Sequence, residues 1–237
     1  MPLYLEIVII LAIAPGLLWL WYFYRKDKLE REPLHLIRRV FLVGALGTIP
    51  AVLLEWPFDV LGRSVLGGTV FITAVVVAPV VEEVVKFFVV WWTIYRDPEF
   101  DEPMDGITYS AAAALGFATL ENIGYVLGQV PEGSGAVAAV GGLRAFLSVP
   151  GHALFSSMWG YALGLAKFST PARGKQLVVM GLFLAIIVHG TFNLLCSIGP
   201  YWALGMLIFI PLLWKMVHRR IKAALKASPH FLPPTIE

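Results

Sequence analysis

Six ionisable residues stand inside runs of sequence that are otherwise apolar: Glu82, Glu83 and Lys86 in one run, Glu121 in the next, His152 in a third and His189 in a fourth. An uncompensated charge near the middle of a bilayer costs roughly 2.5–3.5 kcal/mol on insertion scales, so such groups must face one another inside a bundle. Their spacing agrees with this. Glu82 and Lys86 are four residues apart and share a helix face, whereas Glu83 points about 100° away. The same interval separates Phe117 from Glu121 in FATLEN, His152 from Ser156 in GHALFSS and His189 from Asn193 in HGTFN. Four helices thus each offer one inward polar face. Pro79 precedes the acidic pair by three residues and donates no backbone hydrogen bond, which loosens the helix there and makes room for water.

Two adjacent glutamates in different surroundings suit a division of acid and base work. A carboxylate that deprotonates water, an imidazole that orients it, and a His/Asn pair one turn apart that donates to an oxyanion together carry the chemistry of amide hydrolysis. No serine, cysteine or metal nucleophile is required. Glu82 is the expected base, with Glu83 in support. His152, His189, Glu121 and Asn193 complete the expected catalytic group, and Lys86, Asn122 and Phe117 are expected to support it, Lys86 by neutralising charge. Two rival readings use the same residues. Three glutamates and two histidines are acceptable zinc ligands, but no His-Glu-x-x-His or Glu-x-x-His occurs and Lys86 would compete with a cation, so neither a metal nor another cofactor is expected. Glu and His in spans also suit a proton- or ion-coupled transporter, but the inverted repeats and paired broken helices of that class are not found in the sequence.

The elements that must position these groups follow from composition. The chain has 237 residues, 58% of them hydrophobic and 14% charged, with a mean hydropathy of +0.77. That is the balance of an all-α polytopic membrane protein and excludes a water-soluble globule. A net charge of +2 gives no footing for nucleic acid. Long uncharged runs predict seven spans, at about 3–24, 36–54, 68–92, 107–128, 143–166, 177–197 and 201–217. Lys and Arg concentrate in the first loop (Arg25, Lys26, Lys28, Arg31), the fifth connection (Lys167, Arg173, Lys175) and the tail (Lys215, Arg219, Arg220, Lys222), while the alternate loops hold only Arg63 and Arg144. The expected orientation is therefore amino terminus outside and carboxyl terminus cytoplasmic. Trp19, Trp21, Tyr22 and Tyr24 mark the end of the first span. Residues 129–142 read as a flexible outer loop. Asp97, Glu99, Asp101, Glu102 and Asp105 read as a wet acidic loop, with a bound cation or basic segment as the other possibility. Residues 1–227 form one domain, and 228–237 are expected to be a disordered cytoplasmic tail. Depth counted along the spans puts His152, His189 and Glu121 roughly 10–15 Å from the outer face and Glu82 roughly 20 Å, a mismatch within tilt. Cys196 is alone, so no internal disulfide forms.

Four motifs in order, EEVVK at 82–86, FATLEN at 117–122, GHALFSSMWGYALGLA at 151–166 and HGTFN at 189–193, resemble the PrsW family of bacterial membrane proteases. The resemblance covers about residues 70–200. It extends to the wider glutamic intramembrane proteases, among them the CAAX prenyl proteases, whose pattern is a Glu-Glu pair, a Phe-x-x-x-His helix and a His-x-x-x-Asn helix. Here Glu121 stands where the prenyl proteases place the first histidine, and His152, from another helix, is expected to supply the imidazole. The resemblance implies a multi-pass protein of the bacterial plasma membrane. It also implies a first cut in a single-span membrane substrate, an anti-sigma factor, near its extracytoplasmic side.

Overall fold

The computed structural model describes residues 2–65 and 71–231, and among them every regular element is helical. The order is α1 (Pro2–Tyr24), α2 (Leu34–Leu46), α3 (Thr48–Val65), α4 (Ala78–Thr93), α5 (Pro103–Gly128), α6 (Ser134–Leu143), α7 (Val149–Lys167), α8 (Pro171–Ser197) and α9 (Trp202–Ala227). Five stretches are long and apolar enough to cross a membrane: Tyr4–Tyr24, Leu34–Gly62, Pro103–Glu132, Ser134–Lys167 and Pro171–Ser197. Of the seven expected spans, 68–92 and 201–217 are not among the five. The first begins in residues that lie outside the described ones. Its described part holds Glu82, Glu83 and Lys86, the residues that make it a poor membrane span by composition. The outer loop expected at 129–142 is corrected: it is a short 3-10 turn, Val130–Glu132, followed by α6, which continues into α7 as a single rod. The 228–237 tail begins with Ser228 buried and His230 Nε2 2.6 Å from a Glu30 carboxylate oxygen, while 232–237 lie outside the described residues.

Helix α5 is the axis, buried on almost every side from Pro103 to Thr119 and packed against α1, α2 and α7. Between helices in lipid there is no hydrophobic drive, so close approach and dispersion must hold them. The sequence provides the space. A Cβ added at Gly116 would strike the Phe41 carbonyl, one at Gly44 the backbone of Ala113, and one at Gly160 the Ser110 hydroxyl. The run Ala111–Ala114 lies flat in the same interface.

Two π-helical turns, Thr73–Val77 and Arg144–Ser148, open α4 and α7. Each has the same cause. The N–H of Ala78 bonds the carbonyl of Thr73 and that of Val149 the carbonyl of Arg144, a five-residue step. The next carbonyls along, Ala74 and Ala145, would need the N–H of residues 79 and 150, and both are prolines. Side chains from other helices satisfy them instead: Asn193 Nδ2 donates to Ala74 O at 2.7 Å, and Trp19 Nε1 donates to Ala145 O at 2.9 Å. The loosening expected at Pro79 is therefore a π turn, and Trp19 faces the bundle. Trp19→Phe leaves the Ala145 carbonyl unpaired and should lower stability by about 1–3 kcal/mol. Trp92→Phe, on a side chain 75% exposed, should leave the thermal midpoint in detergent unchanged.

Candidate active site

One turn of α4 gathers the polar groups of four helices. Lys86 is fully buried, and its Nζ donates to Glu82 Oε2 at 2.9 Å and to Glu83 Oε1 at 3.0 Å. It also lies 2.9 Å from His152 Nδ1 on α7 and 4.4 Å from the centre of the Phe117 ring on α5. An ammonium has donors only, so His152 Nδ1 is the acceptor and the proton of that imidazole sits on Nε2. Nε2 in turn lies 3.1 Å from Glu121 Oε2.

Glu83 is also fully buried and is saturated. Oε1 receives Lys86 and His189 Nδ1, both at 3.0 Å, and Oε2 receives Ser156 Oγ at 2.7 Å and Trp159 Nε1 at 3.0 Å. With its Nδ1 proton committed to Glu83, His189 turns the lone pair of Nε2 toward Glu82 Oε2, 4.0 Å away. Glu82 is the member of the pair that borders a cavity of about 680 Å³, which Glu121, Arg144, His152, His189 and Asn193 also line. Two acceptors 4.0 Å apart lie within reach of one water making hydrogen bonds of about 2.8 Å to both. The mismatch in depth expected for Glu82 is absent, because its carboxylate lies 3.5 Å from His152 Nδ1.

The structure brings Glu82, Glu83, Lys86, Phe117, Glu121, His152 and His189 into one network. It sets two expected residues to other tasks. The Asn193 amide donates to the Ala74 carbonyl, and Asn122 donates to Ala12 O of α1 at 2.8 Å while accepting from Arg144 Nε at 2.9 Å. Arg144, read from sequence as a loop charge, belongs to the site: its Nη2 lies 2.7 Å from Glu121 Oε2, and its guanidinium stacks 4.0 Å from the Tyr125 ring centre. The signal was available, since Arg144 is the one Lys or Arg between Arg96 and Lys167. Glu55 and Asp59 also line the cavity. Glu55 escapes notice in the sequence because the second predicted span ends at residue 54.

Glu82, His152 and His189 each present one ligand atom, all within 4.8 Å of one another. The far nitrogens of both imidazoles meet carboxylates, as in many zinc sites. The ammonium of Lys86, however, already holds Glu82 Oε2 and His152 Nδ1, two of the three donors such an ion would need.

The model of one protein family, described as PrsW family intramembrane metalloprotease, matches residues 32–216. The chain is 38% identical to Protease PrsW of Geobacillus kaustophilus over 94% of its own length and 95% of the relative's. It is 34% identical to Protease PrsW of Bacillus subtilis over 92% and 95%, and 35% identical to Protease PrsW of Clostridioides difficile over 87% of each. No solved structure matches it. A membrane-embedded bundle with a buried Glu-Glu-Lys turn, two carboxylate-bound imidazoles and relatives that align over nearly their whole length identifies the chain as a member of the PrsW family of membrane proteases.

Proposed function

We propose that the chain is an endopeptidase of the bacterial plasma membrane that cleaves a single-span membrane protein, an anti-sigma factor, near its extracytoplasmic side, by attack of a water that Glu82 activates. The observation that carries this reading is the contrast within the acidic pair. Glu83 has donors on both oxygens and no exposure, so it positions His189 and the α7 face. Glu82 borders the cavity and lies at water-bridging distance from His189 Nε2. In the proposed reaction Glu82 takes one proton of the water and His189 Nε2 orients the other, while the water oxygen bonds the scissile carbonyl carbon. The proton held by Glu82 then passes to the leaving nitrogen as the C–N bond breaks. Arg144 acts through Glu121, which fixes the His152 tautomer. Asn193 acts by supporting the π turn below Glu82, and its amide is not free for an oxyanion.

A resident zinc is the rival reading, favoured by the three converging donors and by the family description. The geometry does not fit it while Lys86 is an ammonium. A divalent ion bound to Glu82 and His152 would have to displace or face a buried cation that bonds both. The distribution of Lys and Arg predicts the amino terminus outside, and on that orientation the cavity has a definite side. The connections bearing Asp27, Glu32 and Glu102 cluster at one end of the bundle with Ser228 and His230, and the cavity is bordered by Asp59 and Ser197 at the other. Under that orientation the cavity opens outward.

Cleavage of a tagged single-span anti-sigma factor by the purified protein tests the reading. Glu82→Gln should lower the rate by at least about 10²–10⁴-fold and, because an amide oxygen can still accept from Lys86, cost less stability than loss of Glu83. Glu83→Gln should lose both rate and stability, the latter by about 3–5 kcal/mol, because it leaves a buried ammonium and imidazole without their carboxylate. Wild-type cleavage should persist after dialysis against a chelator. Loss on chelation with recovery on adding zinc would transfer the assignment to a metal, and full activity of Glu82→Gln would remove Glu82 as the base.

A further inference from the structure

At the end of the bundle remote from the cavity, three carboxylates meet with no Lys or Arg bonded to them among the described residues. Asp27 comes from the connection between α1 and α2, Glu102 from the residue before α5, and Asp105 from the first turn of α5. Each is at most 1% exposed, and one oxygen from each lies within 4.8 Å of the others. No donor reaches either oxygen of Asp27 or of Glu102, or Oδ1 of Asp105, in good hydrogen-bond geometry, and Thr108 Oγ1, one turn along α5, is likewise without a well-placed partner. The backbone sets the aim of the cluster. Asp105 Oδ2 accepts the N–H groups of Asp101 and Glu102, each at 2.7 Å, which leaves Oδ1 for its neighbours.

Bare carboxylates packed this closely in a dry site are strongly unfavourable without a cation. We propose that Asp27, Glu102 and Asp105 bind a hard divalent cation, Ca²⁺ or Mg²⁺, that ties the α1–α2 connection to the start of α5. An all-oxygen donor set with no histidine or cysteine selects these ions over zinc. The site is separate from the Glu82 network and shares no residue with it. It makes the acidic segment before α5 a structural joint between α5 and the connection of α1 to α2, two helices that both pack against α5.

Thermal unfolding of the purified full-length chain in detergent, stripped with chelator and then titrated with CaCl₂ or MgCl₂, tests this. At saturation one of the two ions should raise the wild-type midpoint by a shift on the order of 5 °C, and comparing the two titrations identifies which. Asp27→Asn removes one buried like charge, so it should melt at or above the stripped wild type and show no response to either ion. His189→Ala, in the other cluster, should respond as the wild type does. A wild-type midpoint that neither ion moves overturns the proposal, as does a response that survives Asp27→Asn or one that His189→Ala abolishes.

Discussion

A single buried ammonium organises this bundle. Lys86 is fully buried and distributes its protons to Glu82 and Glu83 on its own helix and to His152 on α7, above the face of Phe117 on α5. An isolated charge in that position would cost several kcal/mol, and no partner can be withdrawn without exposing the others to the same penalty. Glu83 extends the constraint to α8 through His189 and doubles it on α7 through Ser156 and Trp159. One helical turn thereby sets the mutual position of four helices. The groups it holds most tightly are saturated, and Glu82, at the margin of the cavity, is left able to react.

The helices that carry these groups are not plain rods. The π turns before α4 and α7 each widen the helix just ahead of a reactive residue, and each depends on a proline and on a donor borrowed from elsewhere. Such turns are costly alone and persist where the surroundings supply the missing bond. Trp19 shows why the amino-terminal helix belongs to the active unit: α1 caps the turn below His152, and its Ala12 carbonyl holds Asn122, which holds Arg144. The similarity to the PrsW relatives accordingly runs over nearly the whole chain and well outside the four motifs.

Polarity is divided between the two ends of the molecule. One end carries the cavity, where Glu82, Glu121, His152, His189 and Arg144 are joined in one network. The other carries acidic side chains drawn into the protein, where Tyr109 Oη donates to Glu32 and where burial lifts the carboxyl of Asp27. Of the acidic segment that reads from sequence as solvated surface, Glu99 and Asp101 are exposed but Glu102 and Asp105 are interior, because α5 begins inside the bundle with Pro103, Met104 and Asp105 already covered.

The sequence by itself determined the class of the protein and the membership of its site. Ionisable residues in apolar runs have no tolerable position except facing one another, so Glu82, Glu83, Lys86, Glu121, His152 and His189 were legible from type and spacing alone. Periodicity could not decide direction within the site. Which glutamate is saturated, that Asn193 and Trp19 complete broken helical bonds, and that Arg144 turns inward from a rod thought to be a loop all depend on neighbours distant in sequence. The same holds for the joint of Asp27 with Glu102 and Asp105: charge in a loop is read as exposure, and only packing of the α1–α2 connection onto α5 removes it from water. Local pattern fixes which face of a helix is polar, whereas the partner on that face is chosen by how the helices cross, and small residues such as Gly44, Gly116 and Gly160 set those crossings.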